Sequence, residues 1–233
     1  MYNILSVDWD FFLKCPIELR MKFEQETEDN EEWSAIYKKF KNLLSSTKIN
    51  NDDCEFITNF INLQNCPDVY ISNDHGILYD IITEKFDNEQ DIDEEVASFN
   101  ITNIDFHHDC YNSILGNTPL NCASWLSCLY LKHNYNIKSL WIGQDDSYDF
   151  EDTYFINKYD TDIKSIRNNK YDLIFICKSK EYMPPHLDLQ FIEMVNRINK
   201  NKVYLEQGVL QNRWNRYKLS KKMNLQIPIY RAL

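Results

Sequence analysis

Phe99-Asn100-Ile101-Thr102-Asn103-Ile104-Asp105-Phe106-His107-His108-Asp109 is the stretch around which the chain reads. Its first six residues carry apolar side chains at near-alternate positions, the period of an extended strand. Asp105, His107 and Asp109 then stand two apart, and alternate side chains of extended backbone share one side. Three metal-capable groups are therefore expected together at a strand end. Carboxylates with an imidazole suit a borderline-hard divalent ion such as manganese, iron or zinc. The competing reading is a solvated loop, or a histidine satisfied by its neighbours.

Two further stretches repeat the pattern. Ile4-Leu5-Ser6-Val7-Asp8-Trp9-Asp10-Phe11-Phe12 is an apolar strand carrying Asp8 and Asp10 two residues apart. Val69-Tyr70-Ile71-Ser72-Asn73-Asp74-His75-Gly76 ends in Asp-His-Gly, with Gly76 expected to permit a tight exit. Carboxylates set among Phe, Trp and Ile are costly to bury unless paired or metal-bound. Three such strand ends point to one shared site, since open α/β sheets gather their sites at the carboxyl ends of strands.

The rest of the chain alternates helical and extended patterns. Helices are expected at 16–45, 52–63 (capped by Asp52 or Asp53), 77–85, 121–132 and 187–199. Further strands are expected at 138–142, 172–177 and 202–205, with acidic loops at 24–32 and 87–95 and a turn at 116–119. Several strands are continuously apolar, as when both faces are covered. The expectation is a three-layer α/β/α sandwich with a mainly parallel sheet, formed as a single domain over 1–233, in which 202–233 is a basic C-terminal segment.

Composition narrows the classes. With 233 residues, 43% hydrophobic and 14% aromatic, the chain has enough apolar material for a core and is not a disordered segment. No apolar run reaches the roughly 18 residues that cross a bilayer, and no signal peptide is expected at the N-terminus. Seven cysteines without a CxxC pair suggest reduced thiols and a cytoplasmic setting. Cys110 and Cys122, near the metal motif, are expected as small core residues. A net charge of −11 argues against nucleic acid or an anionic membrane as main partner and favours a cationic one. From Lys202 onward the balance reverses, with seven Lys or Arg against Glu206 alone. Such a tail is expected as a solvated or docked helix, with an acidic-peptide contact as the lesser reading.

Asp105-Phe106-His107-His108-Asp109 resembles the Asp-x-His-x-Asp metal motif of the arginase and deacetylase superfamily. Asn73-Asp74-His75-Gly76 is similar to its Gly-Asp-His segment, and Ser6-Val7-Asp8-Trp9-Asp10 to its Ser-x-Asp-x-Asp segment. Trp141-Ile142-Gly143-Gln144-Asp145-Asp146 is similar to a strand and acidic loop of arginases. The Asp-x-Asp strand comes first here rather than last, as a circular permutation would produce. With the early Asp-x-Asp-Phe-Phe and the segment Asn121-Cys122-Ala123-Ser124-Trp125, the chain most resembles peptide arginases. These arginase-like enzymes convert arginine to ornithine within ribosomally made peptides.

The resemblance implies an arginase-like fold and a site for two Mn2+ ions. His75, Asp105, Asp109 and Asp8 would hold one, and His107, Asp105, Asp8 and Asp10 the other. A hydroxide shared by the ions would attack the guanidinium carbon, Asp109 would accept or pass its proton, and urea would leave. The implied partner is an arginine-containing precursor peptide, with no nucleic acid and no membrane. Glu181 is expected to pair bidentately with the guanidinium, with Asp146 as a second carboxylate. Ser124 and Asn121 would hydrogen-bond substrate, or start a helix as caps. His108 is expected to face away, and His186 to be structural or a proton shuttle. The segment 121–125 lacks the His of the arginase Asn-x-His-Gly, which leaves the proton-transfer step open. Alternative readings are an amide hydrolase or deacetylase, a small-guanidine ureohydrolase, or a metal-stabilised peptide binder without turnover.

Overall fold

The computed structural model describes residues 1–26, 32–40, 46–65, 67–87, 97–111, 119–133, 135–147 and 155–214. Residues 116–118 of the expected 116–119 turn, most of the two acidic loops and the tail beyond 214 lie outside these residues. In chain order the strands are β1 (Tyr2–Asp8), β2 (Leu13–Lys14), β3 (Lys48–Ile49), β4 (Asp68–Ser72), β5 (Ser98–Ile104), β6 (Asn136–Ile142), β7 (Lys158–Asp160), β8 (Leu173–Cys177) and β9 (Val203–Leu205). The helices are α1 (Ile17–Glu26), α2 (Glu32–Lys39), α3 (Asn51–Leu63), α4 (Ile77–Asp87), α5 (Trp125–Lys132) and α6 (Asp188–Asn196).

Seven strands form one sheet in the order β7-β6-β5-β1-β8-β4-β9, and every neighbouring pair is parallel. Parallel neighbours need crossovers, and the helices that supply them cover both faces. β8 shows the result: all five residues are buried. Ile174 and Ile176 pack with Ile57, Phe60 and Ile61 of α3 and Phe191 and Met194 of α6. Leu173, Phe175 and Cys177 join Leu78 and Ile82 of α4 and Leu126 and Leu129 of α5 on the other face. The fold is the three-layer α/β/α sandwich that the alternating pattern predicts.

Register decides where the site can form. Val7 is level with Ile104 across β1 and β5, and Cys177 is level with both Asp8 and Ser72. The four adjacent strands β5, β1, β8 and β4 therefore end together, at the centre of the sheet.

Several local expectations change. Within the expected helical stretch 16–45 the described residues carry α1 and α2, and residues 27–31 and 41–45 lie outside the description. Asn50, not Asp52 or Asp53, occupies the cap position of α3. Its N–H donates to Phe12 O at 2.7 Å, so the chain enters this helix from the β2–β3 ribbon. Asp52 and Asp53 fall in the first turn, where carboxylates suit the helix dipole. Helix α5 starts at Trp125, because Asn121 to Ser124 form a turn of their own. β7 and a 3-10 turn at Ile163–Ile166 carry too few apolar residues for a periodic signal. The described part of the basic tail, to Trp214, is not helical. Among the described residues no helix is long and apolar enough to cross a membrane.

Gly76 is needed for space rather than for a special φ. A Cβ there would lie 3.2 Å from Asp74 Oδ1 and 3.3 Å from the carbonyl carbon of Asn121. Gly76→Ala should therefore press the loop before α5 away from α4 and lower stability by about 1–3 kcal/mol, as overpacking does. A urea-denaturation midpoint equal to that of the unaltered protein would contradict this close approach.

Candidate metal centre

The three motifs reach one place by the same local device. β1 ends at Asp8, whose Oδ1 accepts the N–H of Asp10 at 3.1 Å and turns the chain into the 3-10 turn Trp9–Phe12. β5 ends at Ile104, and Asp105 Oδ1 accepts the N–H of His107 at 2.9 Å. Beyond β4, Asp74 Oδ1 accepts the N–H of Gly76 at 2.8 Å. Each is an Asp side chain bonding the backbone two residues on, a turn that Asp favours. Asp109 completes the bend at φ +57°, a left-handed conformation that Asp tolerates better than most residues. The expectation of extended backbone through Asp105–Asp109 is thus corrected: turns, not strand alternation, bring these side chains together.

His75 Nδ1 lies 3.2 Å from Asp8 Oδ2, 3.3 Å from Asp105 Oδ2 and 3.2 Å from Asp109 Oδ2. His107 Nδ1 lies 3.3 Å from Asp10 Oδ2 and 3.8 Å from Asp105 Oδ1. Asp105 therefore turns one carboxylate oxygen to each imidazole. Asp8, Asp10, Asp105, Asp109 and His75 are all buried. Ser6 Oγ sits 2.5 Å from His75 Nε2, while His75 Nδ1 and Asp10 Oδ1 have no hydrogen-bond partner. His75 Nδ1 faces three carboxylate oxygens, a crowding of negative charge that either a proton on Nδ1 or a cation held among them relieves. The donor set, all carboxylate oxygen and imidazole nitrogen, fits a divalent ion. These buried groups can hold a metal.

Neighbours orient the ligands. Trp125 Nε1 donates to Asp109 Oδ2 at 2.6 Å, and Asn103 Nδ2 to the same oxygen at 3.3 Å. Ser179, at φ +46°, donates to Asp8 Oδ2 at 2.5 Å. The buried Arg20 guanidinium lies over the Phe106 ring at 3.7 Å and donates to Asp10 O at 3.2 Å. None of these roles is legible from the sequence. Ser6 and Trp125 lie inside quoted motifs, whereas Arg20 and Ser179 carry no local signal.

Burial, with Asp10 and Asp105 nearby, raises the Asp8 carboxyl to about 7. Burial and the charge of Asp105 push Asp109 well above the usual carboxylate range. Burial disfavours a charged His75, yet Asp109, Asp105 and Asp8 outweigh it and raise its affinity for a proton. At Asp10 burial also opposes charge, but His107 and Arg20 win and lower the pKa. The metal-free cluster therefore holds its protons to higher pH than isolated carboxyl and imidazole groups do.

The remaining predicted residues are not part of this cluster. Glu181 is on a loop after β8, with Lys180 Nζ at 3.4 Å and an exposed side chain. The same loop brings the Tyr182 ring to 5.8 Å from His107. Asp146 lies beyond β6 in a separate cavity of about 330 Å³, lined also by Phe11, Lys14, Asp53 and Asp145. Ser124 Oγ donates to Asn121 Oδ1 at 3.0 Å and to Pro119 O at 2.5 Å. Asn121 Oδ1 also accepts from Ala123 N, so both side chains build the turn before α5. His108 Nδ1 accepts from Cys110 N at 3.0 Å and its ring stacks on Tyr111, with burial lowering its pKa to about 4. His186 bridges Tyr37 and Thr47 and is likewise lowered by burial to about 4, which suits a structural role. Cys110 is in the core as expected, but Cys122 is only half-buried, 3.7 Å from the Tyr182 hydroxyl.

The chain matches no family model, no curated protein and no solved structure. The resemblance to peptide arginases thus rests on the motif residues.

Two outcomes follow from the electrostatics and the neighbours. Asp8, Asp109 and His75 are protonated in the folded metal-free state at a pH where the unfolded chain has released those protons. Their contribution to stability is therefore lost as pH rises, for Asp8 between 3.8 and about 7. Thermal scans of metal-free protein should show a falling Tm from pH 6 to 8, while manganese affinity rises over the same range as protons are displaced. An affinity independent of pH would refute this. Trp125→Phe, which removes the donor to Asp109, should weaken metal binding about 10–100-fold, measured by calorimetry.

Proposed function

We propose that this chain is a two-metal hydrolase that converts arginine to ornithine within a peptide and releases urea. The observation that carries the reading is Asp105, whose two oxygens face two imidazoles within a buried set of four carboxylates. His75, Asp105, Asp109 and Asp8 would hold one ion, and His107, Asp105, Asp10 and Asp8 the other. Oxygen and nitrogen donors together with the motif resemblance favour manganese. A pair of such ions would supply Lewis acidity and would lower the pKa of a bound water to near neutrality.

The chain's own residues supply the rest. Asp109, oriented by Trp125 and Asn103, would hold at its carboxylate the proton released during attack and return it to the leaving amine. Ser179 fixes Asp8, and Ser6 fixes His75 with Nδ1 inward. Glu181, on the loop that also carries Tyr182, offers a carboxylate fork to the guanidinium. The Asp53, Asp145 and Asp146 cavity offers an acidic surface to more distant parts of a cationic peptide. An overall charge of −11 favours that substrate class.

Manganese-loaded protein incubated with arginine-containing peptides should release urea and leave ornithine at the modified positions by mass. Asp105→Asn, which loses one shared oxygen charge, should cut turnover by at least about a hundredfold and lower the metal count. Urea from free arginine alone would make the chain a small-molecule ureohydrolase. No urea from either substrate, with two ions bound, would overturn the reading.

A further inference from the structure

Cys177, at the level of the strand ends, carries a metal-capable side chain that the proposed reaction does not use. It closes β8, stands in register with Asp8, and is fully buried. Its sulfur, a carboxylate oxygen of Asp8 and a ring nitrogen of His75 all lie within 4.8 Å of one another. Ser179 N–H donates to that sulfur at 3.3 Å and Ser179 Oγ lies at 3.5 Å, contacts that a metal-bound thiolate would keep, whereas the thiol's own donation to Asn73 O at 3.6 Å is given up when a metal replaces its proton. Independently, His75 Nδ1 is buried without a hydrogen-bond partner.

Sulfur, nitrogen and oxygen from Cys, His and Asp form a zinc-type donor set, and three protein ligands leave a fourth position for water. Thiolate selects thiophilic ions over manganese, which prefers oxygen donors. We infer that Asp8, His75 and Cys177 form a second metal site, specific for thiophilic divalent ions such as Zn2+ or Cd2+. Asp8 and His75 also belong to the manganese set, so the two occupancies exclude one another. Zinc bound through Cys177 thereby empties the manganese position at His75 and inhibits the protein. The site rests on the reading of Asp8 and His75 as ligands, and it requires no turnover.

Cd2+ added to the metal-free full chain should give the ultraviolet sulfur-to-cadmium charge-transfer band at one equivalent. Cys177→Ser should abolish the band and weaken Zn2+ binding at least about tenfold, while Mn2+ affinity changes by less than about threefold. Cys122→Ser, beside the same cleft, should keep the band. His75→Gln should lose it although every thiol remains, which guards against a Cys177 variant that fails to fold. A band of equal strength in the His75→Gln protein or in folded Cys177→Ser protein overturns the inference, as does no band in the unaltered chain. Urea release without the band would sink this site alone, whereas the band without urea release would leave it standing and sink the arginase reading.

Discussion

Four carboxylates cannot be buried within a few ångströms of one another unless positive charge lies between them. Asp8, Asp10, Asp105 and Asp109 are in that position, and the rest of the structure answers the constraint. His75 meets three of them, His107 meets two, and Arg20 lies behind the backbone of Asp10. In the metal-free state part of the charge is removed by retained protons, which is why burial and mutual repulsion raise Asp8 and Asp109. A divalent ion held among these groups would relieve the same repulsion without protons, which would couple metal binding to folding and protonation.

The sheet makes this concentration of charge feasible. Parallel strands buried on both faces end at one edge, and the register sets Ile104, Asp8, Cys177 and Ser72 at nearly one level. Just past that edge the backbone must turn without regular partners. Asp8, Asp74 and Asp105 each satisfy an N–H two residues on with a side-chain oxygen. In Asp8 and Asp105 the carboxylate that makes the turn also faces the imidazoles. Turn formation and ligand placement are therefore the same event.

A second layer of contacts holds these loops from the C-terminal side. Glu206 accepts from Ser72 Oγ at 2.7 Å and Asn73 N at 2.6 Å, beside His75. Buried Lys178 donates to Val209 O and Gln211 O, and Arg213 pairs with Asp188 while donating to Lys180 O and Met183 O. The loop that carries Ser179, Glu181 and Tyr182 is thus tied down by residues 206–214. Within the described residues the basic segment acts through Arg213 as a docked strap, and its positive charge is matched by Asp188.

The amino-acid sequence determined the layer architecture and the identity of the clustered side chains. Apolar strands alternating with helices leave few arrangements other than a covered parallel sheet, and Asp-x-Asp, Asp-His-Gly and Asp-x-His-x-Asp are short enough for local chemistry to be read directly. Tertiary structure alone decided the strand order, since a crossover can return to either side of β1. It also decided the support around the ligands: Trp125 reaches Asp109 from another element, and Ser179 reaches Asp8 from 171 positions away. The bends at Asp105–Asp109 were hidden for a related reason. Periodicity reports a regular backbone, and a side-chain-bonded turn has none. Likewise Gly76 reads as a flexible turn residue in isolation, and only the packed loop at Asn121 shows that it is there to leave room.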